Sequence, residues 1–211
     1  MVENTDRRPL KTRQQGWAHG LAHRIVACGI TPNQMSVGGI IMALFGVGAF
    51  WYAETLPPDQ VALPMFLAAV CIQLRLLANM LDGLMAVEAG KKTATGALYN
   101  ELPDRLADIL FLVAAGYAAG WLTGGWIAAL AAVLTAYVRA LGGALGFTQD
   151  FCGPMAKPHR MFTLTLGCLL ATGFPYQTVL GMTLAVIIVG SIITTARRTI
   201  HIAHQLAAPH A

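Results

Sequence analysis

Residues 35–53 read MSVGGIIMALFGVGAFWYA, nineteen consecutive positions without a charged side chain. A helix needs roughly 20 apolar residues to cross a bilayer, so this one stretch is long enough to span. Five more apolar stretches follow, at residues 63–87, 104–122, 126–147, 161–173 (extended towards Tyr176) and 179–196. Breakers stand at the joints: Pro57-Pro58, Thr123-Gly124-Gly125 and Phe174-Pro175, where turns belong. The fold class this predicts is an all-α membrane protein with six transmembrane helices and an N-terminal interfacial amphipathic helix.

Composition points the same way. Of 211 residues, 56% are hydrophobic and 11% charged, with a mean hydropathy of +0.59, whereas a soluble domain carries about 25% charged residues. This excludes a soluble enzyme, a disulfide-stapled secreted domain and a nucleic-acid-binding module. The formal net charge of +4 reads as topology bias rather than as a footprint for DNA.

The 14 lysines and arginines set the expected orientation. Five precede the first span (Arg7, Arg8, Lys11, Arg13, Arg24), and two each fall between spans 2 and 3 (Lys91, Lys92), between spans 4 and 5 (Lys157, Arg160) and after span 6 (Arg197, Arg198). Arg75, Arg105 and Arg139 sit within or at the ends of spans, and the three opposite loops hold none. Basic residues stay cytoplasmic. We therefore expect a multi-pass protein of the cell inner (plasma) membrane with both termini in the cytoplasm. The first 34 residues are polar and basic, without the apolar run of a cleavable signal peptide. A single domain is expected over 1–211: a cytoplasmic or interfacial segment at 1–30, the core at 31–200 and a cytoplasmic tail at 201–211.

Ahead of the first span, Trp17, Leu21, Ile25 and Cys28 fall on one helical stripe, as an interfacial helix requires. Gly29 is its expected stop. Thr31-Pro32-Asn33-Gln34 then reads as a fresh start, with Thr31 as N-cap, Pro32 at N1 and Gln34 completing a capping box.

Charged side chains inside spans are expensive and mark function. Arg75, Asn79 and Asp82 share one face of the second span, with the small residues Gly83 and Ala86 after them. Gly96, Asn100, Asp104 and Asp108 recur at steps of four beyond a short basic loop, with Glu101 and Arg105 beside them. Two neighbouring helices thereby bring oxygen ligands to one depth. Facing carboxylates in a low-dielectric site repel unless a cation lies between them. Oxygen ligands without His or Cys suit Mg²⁺ or Mn²⁺, which complete their shells with substrate phosphates. The same spacing also fits a salt-bridge network in which Arg75 and Arg105 neutralise Asp82 and Asp104. Pro103, which inside a helix would clash with the Tyr99 carbonyl, predicts a helix start near Asn100.

The run Asn79-Met-Leu-Asp82-Gly83-x2-Ala86-x9-Gly96-x3-Asn100-x3-Asp104 resembles the signature of the CDP-alcohol phosphotransferase (CDP-alcohol phosphatidyltransferase) family, D-x2-D-G-x2-A-R-x8-G-x3-D-x3-D. Every gap is reproduced. Three positions depart: Asn79 and Asn100 replace the first and third aspartates, and Val87 replaces the arginine. The pattern resembles a subgroup of bacterial members with Asn at those two places. The six-span plan, the cytoplasmic termini and the Thr31-Pro32-Asn33 start are similar to the family as well.

What the resemblance implies is a membrane enzyme of phospholipid synthesis. It would transfer a phosphatidyl group from CDP-diacylglycerol to a small alcohol acceptor, release CMP, depend on Mg²⁺ or Mn²⁺ and work as a homodimer in the lipid bilayer. Asn79, Asp82, Asn100 and Asp104 would hold metal, and Asp82, Gly83, Ala86 and Gly96 would line the CDP pocket. Asp104 would be the general base, with Asp108 as the second candidate. Arg75, Arg105, Arg139, Lys157 and Arg160 are candidates for the acceptor's or the lipid's phosphate; plain topology also accounts for Lys157 and Arg160, and a buried acid partner for Arg139. The two asparagines motivate the alternative of a catalytically silent relative that binds CDP-lipid or a partner enzyme. A transporter fits least, because the acids gather at one end of the spans.

Cys28, Cys71, Cys152 and Cys168 show no paired spacing and read as packing residues, and His201, His204 and His210 as part of a solvated tail. Gly142, Gly143 and Gly146 read as small residues for close helix packing.

Overall fold

A computed structural model describes residues 16–88 and 96–207. Arg7, Arg8, Lys11, Arg13, Lys91, Lys92 and His210 lie outside the described residues, and of Gly96 and Asn100 only the backbone is described. The described chain is all-helical: α1 (Gly16–Ala27), α2 (Pro32–Ala53), α3 (Ala62–Glu88), α4 (Gly96–Ala118), α5 (Leu122–Ala144), α6 (Lys157–Leu170) and α7 (Tyr176–Ala207), with one 3-10 turn at Pro58–Gln60.

Four of these helices, α2, α3, α5 and α7, are long and apolar enough to cross a membrane. The other two apolar stretches behave differently for local reasons. α4 carries the charged residues Glu101, Asp104, Arg105 and Asp108, and α6 runs for only 14 residues.

The helix ends follow the turn chemistry. Thr31 Oγ1 accepts from the Gln34 N–H at 3.2 Å and the Gln34 side chain accepts from the Thr31 N–H at 2.9 Å, so the capping box forms as expected. Gly29 ends α1 at φ +81°, a left-handed conformation that glycine adopts at little cost. The turn expected at Thr123-Gly124-Gly125 forms earlier, at residues 119–121, where Gly120 takes φ +65°. Gly125 lies inside α5 because α4 crosses there: a Cβ on Gly116 would lie 2.5 Å from the Gly125 Cα. Likewise Gly146 serves the turn after α5 at φ +87°, while Gly142 does admit the Ile202 side chain of α7.

Two further expectations change. α4 begins at Gly96, so Pro103 lies within it; Pro103 is buried, and packing holds the helix together across the hydrogen bond that proline cannot donate to Tyr99. α7 continues to Ala207, so the tail histidines His201 and His204 are helical.

α1 docks on α3 rather than standing alone. Its buried face is Ala18 and Ala22 with Leu21 and Ile25 beside them, packed on Leu81, Leu84 and Met85, while Trp17 and Cys28 are exposed. Small alanines, not the two end residues of the stripe, permit that contact. The main core joins α2 to α7 through residues such as Phe50, Met65, Phe111, Leu164 and Leu184, interleaved with alanines that let the backbones approach.

Candidate active site

The helix order alternates direction, so the start of α2, the end of α3, the start of α4, the end of α5, the start of α6 and the end of α7 share one end of the bundle. All eight described lysines and arginines lie there. At the opposite end Tyr176 donates to Glu54 at 3.0 Å.

Asp82 and Asp104 are both buried. Ser36 Oγ on α2 donates to Asp82 Oδ2 at 2.6 Å, so α2 contributes to the site. Sequence spacing missed Ser36, which sits 46 residues from its partner; its only local signal is a small polar residue one turn into a capped helix. Asn79 Nδ2 donates to Asp104 Oδ2 at 3.3 Å and so links α3 to α4. Arg75 and Lys157 each pair with Asp104, and Arg105 lies 3.7 Å from it. The salt-bridge alternative is therefore realised around Asp104, with Lys157 from α6 in addition to Arg75. Asp82 is held by a hydroxyl instead of a cation.

Gly39 of α2 makes room for Arg75. A Cβ there would lie 3.0 Å from Arg75 Cδ and 3.2 Å from Nη1. Arg75 is 3% exposed, and its Nε and Nη1 have no hydrogen-bond partner among the described residues. Two buried oxygens of the same cluster are in this condition, Asn79 Oδ1 and Asp82 Oδ1. Oxygen acceptors kept from water without a donor suit a hard cation, which takes just such ligands. The residues present thus fit Mg²⁺ or Mn²⁺.

The remaining candidates separate. Arg160 is 1% exposed and donates to Asp108 Oδ2 at 2.5 Å and to the Met155 carbonyl at 3.4 Å. It is turned into the core, and Asp108 is its counter-ion. Arg139 donates to Glu101 at 2.6 Å, also reaches Gln149, and stands 5.7 Å over the Phe151 ring. It has the acid partner that the sequence left open. Gly83 and Ala86 are half-buried on α3, beyond Asp82.

Among the solved structures that share this arrangement of helices are three of phosphatidylinositol phosphate synthase from Mycobacterium tuberculosis. The manganese and citrate complex superposes with a TM-score of 0.76 at 20% identity, covering 92% of this chain and 93% of the synthase. The form with CDP-DAG bound gives 0.74 at 21% identity, covering 88% and 92%. The apo form gives 0.68 at 21%, covering 87% and 94%. The chain has the synthase fold. No family model matches it, and no curated protein matches it in sequence. The likeness to the synthase is therefore one of architecture, carried at low identity over nearly the whole length of both chains.

Proposed function

We propose that this chain is a membrane phosphotransferase that moves a phosphatidyl group from CDP-diacylglycerol to a small alcohol and releases CMP. The observation that carries the reading is the pair of buried, unpartnered oxygens, Asn79 Oδ1 and Asp82 Oδ1, one turn apart on α3 beside Asp104. The synthase fold supports it, since one synthase structure holds CDP-DAG and another manganese.

Asn79 and Asp82 would hold Mg²⁺ or Mn²⁺ together with Asp104 and Asn100. When bound, the ion would neutralise charge on the donor's phosphates and on the departing CMP. The chain's own groups do the rest. The Asp104 carboxylate, paired with Arg75 and Lys157, takes the proton of the acceptor hydroxyl. The unpartnered Arg75 nitrogens offer two donors to a phosphate oxygen. Gly83, Ala86 and Gly96 would let the cytidine lie against α3 and α4, because side chains there would fill its place. Asp108 is left to its pair with Arg160, so the base is Asp104 alone. The acceptor class that these cations favour is an alcohol carrying its own phosphate.

The same reading places the chain as one domain over 1–211 in the inner membrane, with six spans, both termini cytoplasmic and a homodimer as its working form. One-sided lysines and arginines support the orientation. α4 and α6 would be the two short or charged spans, completed by packing against α2, α3 and α7.

The test is CMP release by purified protein given CDP-diacylglycerol, Mg²⁺ or Mn²⁺ and a panel of alcohols that includes inositol phosphate, glycerol 3-phosphate and serine, with mass spectrometry of the lipid formed. Activity that stops in Asp82→Ala and in Asp104→Ala is the expected result. Full activity in both variants overturns the site. For a silent relative, wild type is inactive and Asn79→Asp with Asn100→Asp gains activity; loss of activity in that pair marks a specialised enzyme.

A further inference from the structure

Asp150, Cys152 and His201 come together although the sequence separates them into a loop and a helix end. His201 Nδ1 lies 2.7 Å from Asp150 Oδ2, and Cys152 Sγ donates to that same oxygen at 3.1 Å. One atom from each of the three, a sulfur, an imidazole nitrogen and a carboxylate oxygen, falls within 4.8 Å of the others. We propose that these three side chains form a second metal site, for Zn²⁺ or a divalent ion of similar softness, distinct from the oxygen-lined site on α3 and α4.

Three lines of chemistry support it. The ligand set is right: thiolate, imidazole and carboxylate are the three zinc ligands, and a site with three protein ligands keeps its fourth position for water or a further group. Cys152 and His201 are exposed, which leaves that position open to solvent. Mg²⁺ does not compete for sulfur.

The site is also held in place before any ion arrives. Arg198 Nε donates to the Cys152 carbonyl at 3.0 Å, and the Met155 N–H donates to Thr194 Oγ1 at 2.9 Å. Between them Gly153 turns at φ +106°, packed so close that a Cβ there would lie 2.5 Å from Thr194 Cγ2. The loop is thus fastened to α7 on either side of that turn, and Cys152 cannot drift from His201. The Asp150 Oδ1 atom accepts the Cys152 N–H at 2.7 Å, which orients the carboxylate with Oδ2 towards the other two groups.

The charges balance. Burial works against the Asp150 carboxylate, but hydrogen bonds from His201 and from Cys152 outweigh it and hold its carboxyl below the usual range. Burial first, and then Asp150, push the Cys152 thiol up, so the ion must displace its proton. Binding forms a metal–sulfur bond, breaks the S–H bond and releases one H⁺ to solvent, while the neutral His201 ring ligates through one nitrogen and keeps its single N–H proton on the other. Two positive charges then meet one thiolate and one carboxylate, and the complex is neutral.

The experiment uses the full-length protein purified in detergent, with millimolar Mg²⁺ present to saturate the oxygen-lined site. Zn²⁺ is titrated by calorimetry, and Co²⁺ is used as an optical probe. The expected result is one equivalent of Zn²⁺ bound by wild type, a sulfur-to-cobalt charge-transfer band in the near ultraviolet, and at least tenfold weaker binding in each of Cys152→Ser, His201→Ala and Asp150→Asn. Cobalt that binds without the sulfur band, or zinc affinity equal in wild type and all three variants, overturns the proposal. The cobalt spectrum of wild type decides the matter even for a variant that fails to fold. Zinc binding and CMP release are read separately, so failure of one leaves the other standing.

Discussion

The ion pair between Asp108 and Arg160 tests whether a buried acid near the site is chemical or structural. Their side chains are 3% and 1% exposed, and the shortest N–O distance is 2.5 Å. With charge centres about 4 Å apart and an effective dielectric constant of about 20, the attraction is about 4 kcal/mol. Removing one partner strands the other charge in the core, which costs roughly 3–5 kcal/mol, whereas replacing both by apolar groups is near neutral. Arg160→Met and Asp108→Leu should each lower the melting temperature of the detergent-solubilised protein by about 10 °C, at about 2–4 °C per kcal/mol for a chain of this size. The double variant should recover most of that loss and still release CMP. The assay is thermal unfolding followed by fluorescence, alongside CMP release on the same samples. Two results would refute the reasoning: additive losses in the double variant, or an Asp108→Asn protein that melts like wild type yet has no activity. The second would restore Asp108 as a proton acceptor.

Three other outcomes follow from single contacts. Ser36→Ala removes a 2.6 Å hydrogen bond to the Asp82 carboxylate, a contact worth about 1.5–3 kcal/mol when one partner is charged; the Mn²⁺ concentration for half-maximal CMP release should rise roughly tenfold, and an unchanged metal dependence counts against Asp82 as a ligand. Gly39→Ala places a methyl 3.0 Å from Arg75 Cδ and pushes that side chain off Asp104, so kcat should fall while the melting temperature holds; equal losses of both would point to general misfolding. Gly125→Ala puts a Cβ 2.8 Å from the Leu112 carbonyl and 3.0 Å from the Gly116 Cα, backbone atoms that cannot step aside. Overpacking costs about 1–3 kcal/mol, and a melting temperature like that of wild type would show that the two helices do not meet there.

What the sequence disclosed, and what it hid, divides by range. Features set within one helix were legible: the Thr31 capping box depends on residues three apart, and the shared face of Arg75, Asn79 and Asp82 depends only on helical period. Partners brought by other helices were hidden. Nothing local says that Lys157 reaches Asp104, or that Arg160 turns inward to Asp108 across 52 residues. Glycines misled because one residue type serves two ends: Gly120 makes a turn by its dihedral freedom, whereas Gly124 and Gly125, which look like a turn in sequence, lie inside α5, where Gly125 meets α4. Cys152 and His201, 49 positions apart in the chain, were readable only as a packing residue and a solvated tail until α7 proved to extend far enough to carry His201 back to the loop.

The α4–α5 hairpin has unequal ends. Next to its turn, Gly116 and Gly125 bring the two main chains into van der Waals touch; at its other end, the two helices are joined by the full reach of Glu101 and Arg139. The hairpin is thus held by main-chain touch at one end and by an ion pair between two long side chains at the other. A side chain added at the pinned end should therefore be felt at the Glu101–Arg139 pair, about fifteen residues along each helix, without touching a single charged group directly.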